Sequence, residues 1–170
     1  MAEQNKTLRA RLSSLARFVI ETWALLGGGV LLVVVLMNVE SVLASAFFGV
    51  PFPGDFEMTE IGVAVAAFSF LPYCQLTGAN VTADIFTSSL SSRWVALFAL
   101  AASLLALGFA LLLAWRMWLG MLDQRASDYT TAILQFPHWL AFIPILISLA
   151  LLAVSALMTM SKAARDAKAD

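Results

Sequence analysis

Residues 56–93 read FEMTEIGVAVAAFSFLPYCQLTGANVTADIFTSSLSSR, and this stretch decides the architecture. Two acids, Glu57 and Glu60, precede an apolar run from Ile61 to Leu76. A polar turn follows (Thr77, Gly78, Ala79, Asn80), then a half-apolar segment with a single acid, Asp84. An apolar run of this length crosses a bilayer as a helix, because lipid leaves no partner for an unpaired backbone amide. The segment after it is then a feature on one membrane surface, and we expect it to meet a partner.

Composition extends that reading to the whole chain. Hydrophobic residues make up 61% of the 170 and charged residues 12%, with a mean hydropathy of +0.89. A soluble domain of this length needs more polar surface than that. Four apolar runs long enough for a hydrocarbon core of about 30 Å are present. The expected fold is all-α and integral to the membrane: one domain over residues 1–170, with spans at about 18–41, 58–76, 94–115 and 139–160. The net charge of −1 and the lack of a dense basic run argue against nucleic acid as a partner. Cys74 is the only cysteine, so no intrachain disulfide can form.

Ahead of the first span, Leu8, Leu12, Leu15 and Val19 fall on one helical face, with Lys6, Arg9, Arg11 and Arg17 around it. That pattern predicts a short amphipathic helix in the headgroup layer, before the chain turns into the bilayer. The first span holds Glu21 and Glu40, separated by about 28 Å along a helix. Both can therefore sit near opposite interfaces, where an acid is cheap. Gly27, Gly28 and Gly29 permit close approach of a neighbouring helix. Ala44-Ser45-Ala46 after an apolar run resembles a secretory cleavage site, but the run is longer than a signal core and is read as a membrane helix.

The 42–57 loop carries Pro51, Pro53 and Gly54, with Phe47, Phe48 and Phe52 suited to a membrane boundary. Beyond the opening stretch, Val81, Ile85 and Phe86 predict a second short interfacial helix from which Asp84 projects. Trp94 at one end of the third span, and Trp115 with Trp118 at the other, form aromatic belts; helix is expected to run past Arg116. His138, the only histidine, stands at the start of the fourth span, which carries Pro144 in its first turns.

Lysine and arginine set the orientation. The N-terminal arm has four, the 77–93 loop one and the C-terminal tail three, against none and two in the remaining loops. Both termini and the Asp84 loop are therefore expected on the cytoplasmic side of the membrane.

The chain lacks the signatures of chemistry. No span has a charge near its centre, as an ion-coupled transporter working alone requires. No histidine pair could ligate haem inside the spans, and no metal cluster, nucleophile motif or phosphate loop occurs. We expect no enzyme and no cofactor, but an accessory subunit that works through another chain. Two alternatives come from other classes: the membrane anchor of a redox enzyme, and a small multidrug antiporter with Glu21 as the proton-coupled acid.

At the opening stretch the sequence resembles the small membrane subunit, DctQ-type, of tripartite ATP-independent periplasmic (TRAP) transporters. That family places a glutamate before the second span and a turn of the form Gly-x-x-Val-x-x-Asp after it. Glu60 and Gly78, Val81 and Asp84 fall on the pattern. A second likeness precedes the last span, in Ile133-Leu134, Phe136-Pro137, Trp139 and Pro144. Asn80 stands where the family commonly has histidine, and the arginine often found after the pre-span glutamate has no counterpart. The resemblance implies a small permease subunit that binds a larger DctM-type membrane subunit, which carries the substrate and sodium sites and moves as an elevator. A periplasmic solute-binding protein would deliver an organic anion, usually a carboxylate, and an ion gradient would drive uptake. Glu60, Gly78, Asn80, Asp84, Pro137 and Trp139 are then expected as structural or partner-contact positions. Each also suits a local role: Asp84 as a helix cap, Glu60 as an N-terminal helix charge, Pro137 and Trp139 as helix-start and belt residues.

Overall fold

The computed structural model describes residues 2–79 and 92–169. Four helices account for most of them: α1 (Ala2–Phe48), α2 (Asp55–Thr77), α3 (Ser92–Ala126) and α4 (Trp139–Ala169). Each is long and apolar enough to cross a membrane. Among the described residues there is no strand beyond an isolated bridge between Thr130 and Pro137.

The first helix differs from the sequence expectation. In place of a separate interfacial helix over 1–17, α1 runs unbroken for 47 residues, about 70 Å at the usual rise. No glycine or proline lies between Ala2 and Leu26, so nothing in that segment stops helix propagation. At its far end α1 also overshoots residue 41, stopping only where Gly49 turns left-handed (φ 71°) ahead of Pro51 and Pro53. The return segment then folds back along the last turns of α1, with the Phe52 N–H donating to Ser41 Oγ at 3.1 Å.

Helix α2 starts at Asp55 and carries Glu60, exposed, in its second turn. Its C-terminus closes on Gly78 (φ 68°), with the Ala79 N–H reaching back to the Cys74 carbonyl at 3.0 Å. Helix α3 continues past Arg116 to Ala126, as expected. Asn80, Asp84 and the predicted interfacial helix around them lie outside the described residues.

The helices pack in the order α1, α2, α4, α3, so that α1 and α3 stand at the two ends of a row. Two antiparallel hairpins, α1–α2 and α3–α4, meet through α2 and α4. Small residues make the seams: Ala24, Ala66, Ala110, Ala141 and Ala156 are buried, as are Ser69, Ser103, Ser148 and Ser155. Without a hydrophobic drive between helices in lipid, close backbone approach and dispersion supply the association, and small side chains permit both. The buried hydroxyls mostly donate to a carbonyl one turn back, as Ser69 does to Val65 and Ser155 to Leu151, which leaves no orphaned donor in lipid.

Three polar contacts join the helices across the row. Gln75 Nε2 on α2 and Ser103 Oγ on α3 both donate to Thr159 Oγ1 on α4, at 3.0 and 3.2 Å. The Trp23 indole on α1 donates to Ser148 Oγ at 2.9 Å. The apolar faces away from these seams are open: Leu25, Phe47 and Phe48 are each at least three-quarters exposed. Lipid or another chain must cover them.

Candidate functional site

The two described loops meet at the end of the row opposite the termini. We call it the distal cap, built from the return segment 49–54, the first turns of α2 and the 127–138 loop. It is positioned by turn chemistry. After Pro53, Gly54 adopts the left-handed conformation (φ 80°) and starts α2, and the Met58 N–H bonds its carbonyl at 3.0 Å. Ser41 at the end of the α1 span donates to Asp55, and Asn38 Nδ2 donates to Thr59 Oγ1 at 2.8 Å. The α1–α2 turn is thereby tied to both helices that it joins.

The 127–138 loop closes on itself in the same manner. Thr131 and Phe136 exchange backbone and hydroxyl hydrogen bonds, and the His138 N–H donates to the Tyr129 carbonyl at 3.1 Å. Asp128 and Gln135 take positive φ at its two bends (47° and 54°), a cost that such a closed loop can hold. The loop is then latched to α2. Glu57 Oε1 accepts the Ile133 N–H at 2.7 Å, and Oε2 accepts the Leu134 N–H at 3.0 Å. Leu134 itself covers Gly54 so closely that a Cβ there would lie 2.5 Å from Leu134 Cγ.

At the start of α4 the Arg125 guanidinium rests 5.2 Å from the centre of the Trp139 ring, a cation–π contact between α3 and α4. His138 meets Tyr129 edge-on at 5.5 Å, while its Nδ1 is buried without a partner. Pro137 sits at the bridge to Thr130 and accepts the Leu140 N–H as α4 begins. Pro137 and Trp139 thus lie together in the cap, whereas Gly78 lies at the opposite end of α2, and Glu60 one turn below the latch. Among the described residues, no three His, Cys, Asp or Glu side chains converge as metal ligands would. The arrangement offers shape, hydrogen bonds and apolar area rather than reacting groups.

A family model described as tripartite ATP-independent periplasmic transporters, DctQ component, matches residues 31–166. The chain belongs to the DctQ family. It is therefore a small TRAP transporter subunit and a multi-pass membrane protein. Among curated proteins none matches the chain. The family match spans both sequence likenesses, from Glu60 to Asp84 and from Ile133 to Pro144, and leaves the first thirty residues of this DctQ subunit outside it.

The sequence points to no contact for Glu57, Gly54, Asn38 or Thr59. The partner of Glu57 lies 76 residues away. No local spacing carries that information. We expect Glu57→Ala to speed amide exchange at Ile133 and Leu134, and Glu57→Gln to do so less, since glutamine keeps one acceptor. Hydrogen exchange read by mass spectrometry checks this; exchange unchanged in both variants would show that the loop is held by other contacts.

Proposed function

We propose that this DctQ subunit is the immobile membrane scaffold of a TRAP importer, bound to a large elevator-type subunit. In this reading a periplasmic binding protein delivers an organic anion, a carboxylate, and a sodium gradient drives its uptake. The membrane is the bacterial inner membrane, and both termini are cytoplasmic. The distal cap then faces the periplasm, and Glu60, Gly78, Asn80, Asp84, Pro137 and Trp139 serve as structural or contact positions.

The observation that carries the proposal is the family match over residues 31–166. The structure adds support of a different kind. Two apolar grooves, of about 590 and 480 Å³, open along α1 and α2, lined by residues such as Val30, Val33 and Ile61 in one and Val35, Val39 and Val63 in the other. Neither groove is lined by Glu21 or Glu40, and both acids are exposed on α1. A wide apolar face on a tied and latched frame suits a stator, since a moving partner needs something that does not move with it.

Reconstitution tests the proposal. Liposomes holding this subunit alone should take up no labelled carboxylate under an inward sodium gradient. Adding the large subunit and the binding protein should produce uptake. Uptake by the small subunit alone would overturn the scaffold role, and equal uptake with and without it would deny it any role.

A further inference from the structure

We propose that the N-terminal arm of α1 is an anionic-lipid-binding element that fastens the subunit to one membrane surface. Three observations meet here. First, α1 outruns its neighbour: Gly27 packs on Ser69, and Val34 packs against Gly62, so α2 ends at Thr77 near the level of residue 20. The helix continues for a further 18 residues, about 27 Å, beyond that level. Second, the end of the arm next to the row is open over its described side chains: Leu12, Leu15 and Phe18 are each about three-fifths exposed or more, and Arg11 and Arg17 are exposed too. Inside the row burial begins abruptly with Ile20, which is fully enclosed.

Third, the charge is one-sided. Residues 1–17 hold Lys6, Arg9, Arg11 and Arg17 against a single acid, Glu3. At 100° per residue, Leu8, Leu12, Leu15 and Val19 form one narrow stripe, with Arg11 and Arg9 on its two flanks and Lys6 and Arg17 behind. A helix that leaves the bilayer obliquely keeps one face toward the lipid surface. An apolar stripe with basic flanks suits that surface when the headgroups are anionic, since the leucines enter the acyl boundary and the long side chains reach phosphate. Each basic residue near such a surface contributes about fivefold to binding, so Arg9 and Arg11 on the flanks together contribute about 25-fold. The family match starts at residue 31, so the arm is a feature of this chain outside the matched region. The inference stands whether or not the scaffold reading does.

Limited trypsin cleavage after Arg11 and Arg17 reads the arm directly, using the full chain in nanodiscs of neutral phosphatidylcholine or of the same lipid with phosphatidylglycerol. Cleavage should be slowed by the anionic lipid, and high salt should remove the protection. The variant Arg9→Gln keeps both scored sites and should speed cleavage on anionic lipid about fivefold, as one flanking basic residue is lost. Equal cleavage in the two lipids would overturn the proposal. So would protection that appears only when the large membrane subunit is present, whatever the lipid, because the arm would then be a protein contact.

Discussion

Gly54→Ala destabilises the protein by about 1.5–3.5 kcal/mol, the largest effect we expect from a single methyl group in this chain. Two costs combine. A residue with a Cβ held at φ 80° loses about 1–2 kcal/mol to the clash with its own carbonyl. The same Cβ would stand 2.5, 2.7 and 3.0 Å from Cγ, Cδ1 and Cδ2 of Leu134, whose partly exposed side chain must turn away at about 0.5–1.5 kcal/mol. The two costs are separable. Adding Leu134→Ala removes the atoms in the way and should recover the packing share, leaving the backbone share in place. Gly54→Asn does the reverse, since asparagine tolerates the left-handed region better but still meets Leu134. Denaturant titration in mixed micelles, followed through tryptophan fluorescence, measures all three. If Leu134→Ala recovers nothing, the loop over 127–138 does not sit on Gly54.

The second large effect is at the α1–α2 seam. A Cβ on Gly27 would stand 2.5 Å from Ser69 Cβ, and one on Gly62 would stand 2.3 Å from Val34 Cγ2. The second distance is shorter, yet we expect the first to cost more. Ser69 Cβ is fixed to its backbone, so relief requires the two helices to move apart. Val34 Cγ2 can turn about one bond, at about 0.5–1.5 kcal/mol for leaving its preferred rotamer. Gly27→Ala should therefore destabilise by about 1–3 kcal/mol, and Gly62→Ala by about 1 kcal/mol. The compensating change Ser69→Gly should rescue Gly27→Ala and leave Gly62→Ala as it was. The same unfolding assay decides, and rescue of both variants alike would mean that the seam does not cross at Gly27 and Ser69.

The cap and the seam also bear on the scaffold role. The scaffold role proposed above needs a frame that resists displacement, and here resistance comes from small-residue packing and a two-point latch rather than from a large core. Ile20 and Leu149 are among the few large side chains that are fully enclosed. The stiffness of this frame therefore rests on a few positions where no atom can be added.

Four membrane helices, their approximate places and the family likeness were all legible in the residues, because lipid imposes one rule everywhere. An apolar run of about 20 residues must be a helix, whatever surrounds it. That rule predicted helices where α2 and α4 run, and of the three glycines of the first span Gly27 lies at the α1–α2 seam while a Cβ on Gly29 would meet nothing within 4 Å. The rule did not find where α1 begins and ends, because the absence of a breaker is a weaker signal than the presence of one. The helix order α1, α2, α4, α3 belongs to tertiary structure alone, as lipid-facing and helix-facing surfaces are equally apolar here. The latch from Glu57 to Ile133 and Leu134 was beyond any local pattern for a related reason. A carboxylate declares that it needs hydrogen-bond donors, but only the folded chain decides which amides, dozens of residues away, will supply them.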